Sequence, residues 1–243
     1  MRVIKKKTIY QLTFLPRFFP VNCYLVEEED GLTLVDAGLP YSWRGILKQA
    51  EEIKKPINHI LLTHVHGDHV GSLDRLKEVL PAVPVYVSRR DARLMGGDLT
   101  LDKGEPNLPI RGDVPKNLIT RADILLEEGD RVGSLITIST PGHTPGSVSY
   151  LDTRNNSLIV GDAFQTRGGI AVGGQMRPLF PFPAMATWNP ALALESAKKL
   201  KTYRPALLAC GHGKMLADPE TEMSRVIEDA EQDLKKIMLE TGK

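Results

Sequence analysis

The sequence predicts an α/β protein built of two sheets packed face to face, with helices on the outside. Three observations point there. Apolar runs of strand length recur along the chain, and segments of helical period separate them. Their order repeats in a loose two-fold rhythm, several strands and a helix followed by several strands and a helix. With 243 residues, 42% hydrophobic and 25% charged, the chain has the size and composition of one large domain, expected to span residues 1–243.

Thr8 to Leu15 reads as the opening strand, broken at Pro16 to Pro20. Val21 to Glu27 and Leu32 to Val35 read as strands around the acidic turn Glu28 to Gly31. Trp43 to Lys54 places Ile46, Leu47, Ala50 and Ile53 at helical spacing. Ile57 to Thr63 is a further strand, Leu73, Leu76 and Leu80 mark a helix face, and Pro84 to Ser88 is the next strand. The pattern fails from Asp91 to Lys116, which is rich in Gly, Pro and charge; stretches of this length without periodicity are often lids or binding loops. Short strands return at Ile124 to Leu126, Leu135 to Ser139, Val148 to Leu151 and Ser157 to Val160. A second irregular segment, Phe164 to Trp188, carries Met176, Leu179, Phe180, Phe182, Met185 and Trp188. Asn189-Pro190 reads as an N-cap followed by proline at the first helical position. It opens a helix to about Tyr203 with Ala193, Ala197 and Leu200 on one face. Ala206 to Cys210 is the last strand, and Asp218-Pro219 opens a closing helix with Met223, Val226, Ala230, Leu234 and Ile237 inward.

The formal net charge of +1 offers no bulk field to nucleic acid or anionic lipid. Lys5-Lys6-Lys7 reads as a solvated tail. No stretch approaches the roughly eighteen apolar residues of a membrane span, and no apolar run of signal-peptide length follows Met1 to Tyr10. The expectation is a cytoplasmic protein acting on a small molecule, with no nucleic-acid or membrane partner and its oligomeric state open. Cys23 and Cys210 lie in apolar runs and read as small core residues. One disulfide between them stays open, but a secreted framework would need more cysteines.

The chemistry concentrates in His64-Val65-His66-Gly67-Asp68-His69, fed by the apolar run Ile60-Leu61-Leu62-Thr63. Turns favour Gly, Asn, Asp and Ser over a cluster of histidines. Residues two apart in an extended stretch point to one side, so His64 and His66 can grip one ion. Gly67 lets the chain turn and present Asp68 and His69 elsewhere. Three later positions share this context: an apolar strand, a glycine, then His143, Asp162 or His212. Strand ends are where open sheets build sites. Five imidazoles and two carboxylates suit two borderline metal ions, most naturally zinc. His59, inside the run Ile57 to Leu62, reads as a core histidine or a support for the ligands.

The motifs Thr63-His64-Val65-His66-Gly67-Asp68-His69-Val70-Gly71, Pro141-Gly142-His143-Thr144-Pro145-Gly146, Gly161-Asp162 and Gly211-His212-Gly213 stand in the order of the metallo-β-lactamase superfamily. The chain resembles that family from Val21 to Gly213. The resemblance implies a four-layer αβ/βα sandwich with the site along one edge. It also implies that His64, His66 and His143 hold a first metal, that Asp68, His69 and His212 hold a second, and that Asp162 bridges them. Asp36, ending the run Leu32 to Val35, matches a position expected to orient ligand histidines.

Two zinc ions about 3.5–4 Å apart can share a hydroxide that is nucleophilic near neutral pH, and manganese or iron are the other candidate metals. Asp68 is the candidate general acid/base. The expected activity is dinuclear metal-dependent hydrolysis by that bridging hydroxide, on an ester, thioester or lactone. The all-Asp/His set is similar to that of glyoxalase II and the acyl-homoserine lactonases. True β-lactamases of the family usually have cysteine where Asp162 stands. Only about one helix follows Asp218, short of the helical domain with which glyoxalase II binds glutathione. Gln165 stands where the lactonases commonly have tyrosine. Met176 to Trp188 is a candidate wall for an apolar pocket, and Arg89, Arg90 and Arg167 are candidate contacts for an anionic substrate group. Ordinary core and solvated surface are the competing readings. The alternative function is a mono-iron persulfide dioxygenase-like oxidoreductase of the same fold. A non-catalytic metal module is less apt, because structural sites are closed and four-coordinate whereas seven ligands for two ions leave room for water and substrate.

Overall fold

The computed structural model describes residues 1–241; Gly242 and Lys243, the end of the expected 1–243 domain, lie outside the described residues. Seven strands form the first sheet in chain order: β1 (Arg2–Lys6), β2 (Ile9–Phe14), β3 (Val21–Glu27), β4 (Leu32–Val35), β5 (Ile57–Leu61), β6 (Val85–Ser88) and β7 (Ile124–Leu126). Pairing is antiparallel from β1 to β4 and parallel from β4 to β7. The parallel part is where helices must carry the chain back across the sheet. They are α1 (Trp43–Ile53), α2 (Gly67–Val70), α3 (Leu73–Val79) and α4 (Arg89–Met95).

The second half contains β8 (Arg131–Val132), β9 (Leu135–Ser139), β10 (Val148–Asp152) and β11 (Ser157–Ile159). A small pair, β12 (Phe164–Gln165) and β13 (Ala171–Val172), and the short helix α5 (Phe182–Ala186) follow. Then come α6 (Pro190–Thr202), β14 (Leu207–Ala209), β15 (Leu216–Ala217) and α7 (Glu220–Thr241). The second sheet runs β15-β14-β11-β10-β9-β8. Among the described residues no helix is long and apolar enough to cross a membrane.

Alternation along the strands builds the layers. In β3, Cys23 and Leu25 point into a core shared with Ile46 and Ala50 of α1, Leu73 and Leu76 of α3 and Leu94 of α4. Tyr24 and Val26 point the other way, into a core shared with Tyr150, Ile159 and Leu207 of the second sheet. In the second sheet Ile159 joins that inter-sheet core, while Leu158 faces Leu194, Ala197, Met223 and Val226 of α6 and α7. Helix layer, sheet, sheet and helix layer follow in turn, the four-layer αβ/βα sandwich. Because both faces are covered, the strands read as continuous apolar runs. Cys23 lies in the first core and Cys210 in the third; both are free thiols, so the open disulfide is excluded.

Hydrogen bonds stitch the two sheets along one edge. The Tyr150 hydroxyl donates to Leu62 O at 2.7 Å, and Val148 N donates to Thr63 O at 2.8 Å. Asn22 N donates to Gly211 O at 2.9 Å, and its amide Nδ2 donates to Cys210 O and Gly213 O. These buried donors and acceptors have no water to turn to, so the register between the sheets is fixed where the candidate ligands emerge.

Several expectations need correction. Lys5 and Lys6 belong to β1 and are not a free tail; Lys5 Nζ pairs with Glu27 at 2.9 Å. Val3 stands on the exposed side of this edge strand and Arg2 and Lys6 on the half-buried side, so it shows no apolar-polar alternation, while its charges guard against edge pairing. The segment from Asp91 is helical to Met95, where Ser88 caps α4 by accepting from Asp91 N. The two-residue strands β8, β12, β13 and β15 are too short to register as periodicity. Ile237 is 54% exposed rather than inward, because the last turns of α7 run beyond the second sheet's core, whose outermost α7 contact is Leu234. The Asn189 cap holds as expected, its side chain accepting from Ala191 N and Leu192 N.

Candidate metal centre

All seven candidate ligands meet at one edge of the sandwich. His64 and His66 follow β5, and Gly67 opens α2, which carries Asp68 and His69. His143 follows β9, Asp162 follows β11 and His212 follows β14. The glycine preceding each later ligand serves a different need. Gly142 and Gly161 take positive φ (139° and 48°), whereas a Cβ on Gly211 would strike Asp162 and the His69 ring. Ligand atoms of His64, His66 and His143 lie within 4.8 Å of one another, as do those of Asp68, His69 and His212, and those of His64, His69 and Asp162.

The far nitrogen of each histidine donates away from the centre. His69 Nδ1 donates to Asp36 Oδ2 at 2.8 Å, and His212 Nδ1 to Pro20 O at 2.8 Å. His66 Nε2 donates to Arg111 O at 3.0 Å. Thr63 Oγ1 gives its own proton to Asp36, so it accepts from His64 Nδ1 at 3.1 Å. Thr187 Oγ1 gives its proton to Pro183 O and accepts from His143 Nδ1 at 3.0 Å. In the neutral rings this network assigns each tautomer and leaves the five inner nitrogens as bare acceptors. They face one another and two carboxylates: His66 Nδ1 is 3.0 Å from His143 Nε2, and Asp162 Oδ2 is 3.2 Å from His212 Nε2. His64 Nε2, His69 Nε2 and Asp162 Oδ1 are buried with no hydrogen-bond partner. Acceptors converging without donors fit divalent cations.

The titration of the site expresses the same demand. Burial holds His64, His66 and His143 below the ordinary imidazole value, His143 at about 3. Burial presses on His69 as well, but Asp68, Asp36 and Asp162 outweigh it and raise that ring to about 10. His212 is raised too, Asp162 overcoming its burial. Asp162, despite burial, is held well below the usual carboxylate range by His212 and His69. The two raised rings are those whose inner nitrogens face the carboxylates of Asp68 and Asp162, where a divalent cation would take the place of a proton.

The groups that support the ligands are less legible in the sequence than the ligands themselves. Asp36 accepts from Thr63 N, Thr63 Oγ1 and His69 Nδ1, each at 2.8 Å, so it orients His69 directly and His64 through Thr63. Asp91 is a further support. Its carboxylate accepts from Val65 N, Thr144 Oγ1 and Gly146 N and so ties the His64–His66 loop to the His143 loop. Ser88-x-x-Asp91 is a helix-start signature that locates the residue but says nothing of this role. Thr187 and the carbonyls of Pro20 and Arg111 carry no signal, since any residue has a carbonyl.

A cavity of about 360 Å³ opens over the centre, lined by His66, Asp68, His143, Asp162 and His212 together with Phe19, Gly112, Asp113 and the 182–186 turn. Phe182 and Met185 thus line it as expected, while Phe180 packs on the His212 ring at 5.2 Å. Met176 and Leu179 do not line it, and Leu179 is 83% exposed. Trp188 is buried, its Nε1 donating to Leu108 O and joining the two irregular segments. Arg89, Arg90 and Arg167 are absent from the lining: Arg89 pairs with Glu127, Arg90 with Glu105, and Arg167 donates to Arg17 O. His59 packs against Tyr86 and lies 3.5 Å from Thr33 Oγ1, with no ligand among its contacts.

Fold and site together define an αβ/βα protein with a metal-ready His/Asp centre at one sheet edge. The family model described as "Metallo-beta-lactamase superfamily" matches residues 16–212, and the chain belongs to that superfamily. It is 53% identical over 232 residues to "Uncharacterized protein YobT" of Bacillus subtilis (strain 168), covering 96% of this chain and 100% of that one. It is 30% identical over 218 residues to "Probable metallo-hydrolase YflN" of the same organism, covering 79% of this chain and 80% of that one. The solved structure of TTHA1623 in a di-iron-bound form superposes with a TM-score of 0.62 at 28% identity, covering 87% of this chain and 96% of that one.

Proposed function

We propose that the chain is a dinuclear metal-dependent hydrolase acting on a small ester, thioester or lactone with an apolar acyl part. One observation carries this reading: five inward-facing imidazole acceptors and two carboxylates converge beneath a single open cavity. His64, His66 and His143 would hold one ion, and Asp68, His69 and His212 the other, with Asp162 between them. Bound there, two divalent ions supply an acidified water and a Lewis acid for the scissile group. Zinc suits the donor set best, with manganese or iron next. Asp68 is the one carboxylate of the set with substantial access to the cavity, its side chain 24% exposed. It takes the proton of the attacking water and returns it to the leaving oxygen or sulfur. Phe19, Phe182 and Met185 receive the apolar acyl part and keep water away from it. The two free buried thiols suit a reducing compartment, and the cytoplasm is the proposed location.

The test is metal content and turnover on a panel of esters, thioesters, lactones, β-lactams and phosphodiesters. His66→Ala and Asp162→Ala should lose metal and activity together. The loss should exceed about a hundredfold, since removing a mere supporting partner already costs about that much. Full turnover by a metal-free preparation overturns the reading. A second reading draws on the di-iron-bound form of TTHA1623. Near-stoichiometric iron with oxygen uptake on a persulfide would favour the mono-iron persulfide dioxygenase-like alternative.

A further inference from the structure

The cavity over the centre has an unusual balance of charge. Outside the candidate ligands its lining is apolar apart from Gly112 and Asp113, and it contains no lysine or arginine. Asp113 is therefore the one charged lining residue that a metal would not consume. Among the described residues no cation pairs with it.

Its position is built into the ligand motif. Gly67 N donates to Asp113 O at 2.7 Å, and His66 Nε2 donates to Arg111 O at 3.0 Å. Gly112 lies between at φ +87°, so close to the His66 ring that a Cβ would strike it. The Asp113 carboxylate lies against Gly67, where a Cβ would strike Oδ2. Three consecutive residues of the first irregular segment are thus clamped to the His64–His69 motif. The carboxylate stands at a defined place beside the centre, not on a free loop.

We infer that Asp113 sets the charge of the substrate. The site takes molecules whose non-reacting part is neutral or cationic and turns away those bearing a carboxylate or phosphate. The substrate class depends on the hydrolase reading; the charge preference is a property of binding and is read without turnover. A like charge held about 6 Å away in a partly solvated cavity weakens binding about fivefold to tenfold. An opposite charge gains by a similar factor. With no lysine or arginine in the lining, nothing outside the metals offsets the repulsion, which is how a site excludes a competitor.

The experiment compares three small thiols on the zinc-loaded protein by calorimetry: neutral 2-mercaptoethanol, anionic mercaptoacetate and cationic cysteamine. All three bind metal through sulfur, and their differing thiol acidity and chelation are common to parent and variant, so the change in the ratio of their dissociation constants between the two reports the charge of the surroundings. Asp113→Asn should improve mercaptoacetate relative to 2-mercaptoethanol about fivefold to tenfold and worsen cysteamine similarly. Asp113→Lys should move both ratios further in the same direction. Both variants keep the backbone bonds of residues 111–113, and zinc content is measured for each. Ratios unchanged in variants that retain zinc overturn the inference. If the ratios shift while no ester, thioester or lactone is turned over, charge selection stands and the hydrolase reading falls.

Discussion

Asp36 sits at φ +62°, a left-handed conformation that aspartate tolerates better than most residues but that still costs of order 1 kcal/mol. The bend aims its carboxylate across the end of β5, where it accepts three hydrogen bonds and fixes the orientation of His69. Asp91 does comparable work between the two sheets, at a different energetic cost. Burial pushes its carboxyl up from the ordinary 3.8 to about 6, although Thr144, Val65 and Gly146 all donate to it. The folded state therefore holds this proton more tightly than the unfolded chain does. The stability it contributes is complete below about pH 4 and is lost as pH rises through about 6. The difference amounts to about 3 kcal/mol. Urea unfolding of the metal-free protein and of Asp91→Asn should show the parent losing about this much stability relative to the variant between about pH 4 and 6.5, the contributions of the buried histidines being common to both. An equally steep slope in the variant would refute the assignment.

At the scale of elements, the ligand turns depend on what they dock against. The turn that presents His143 leaves β9 and packs on the first turn of α6: Trp188 N donates to His143 O and Asn189 N to Gly142 O. Gly142 adopts φ +139° with its α-carbon against the backbone of Ala193, so a Cβ would meet both strain and backbone atoms. Gly142→Ala should destabilise the fold by about 3 kcal/mol, as steric conflict at a special backbone position does. It should also weaken metal binding, since His143 moves with the turn. Denaturant midpoints with and without chelator measure both, and a shift under about 0.5 kcal/mol would show that the helix end yields freely.

At the scale of the whole molecule, the centre is a joint. The first sheet and α2 provide His64, His66, Asp68 and His69; the second sheet provides His143, Asp162 and His212. Ions bound there hold the two halves together and bind only the folded chain. At a thousand times the dissociation constant such binding adds about 4 kcal/mol. For a chain of this length that corresponds to a Tm higher by roughly 10 °C. Chelation should lower Tm by about that amount and zinc should restore it. A Tm indifferent to chelator would mean that the seven residues do not form a metal site.

The layered α/β arrangement and the candidate ligands were legible because each leaves a local mark. Strands buried on both faces become apolar runs, helices show their period, and three histidines packed into six residues after a strand favour a metal over an ordinary turn. Even the places where periodicity failed were informative, since Phe182, Met185 and Asp113 line the cavity from those segments. Only tertiary structure could decide the rest. Which nitrogen of each histidine faces inward depends on partners as remote as Pro20 and Thr187. Asp91 joins loops of different sheets, and Arg90 turns away from the cavity to hold Glu105. Such roles arise from contacts between residues far apart in the chain. Period, composition and spacing record only what neighbours in sequence do, so they name the donors but not the geometry that makes them a centre.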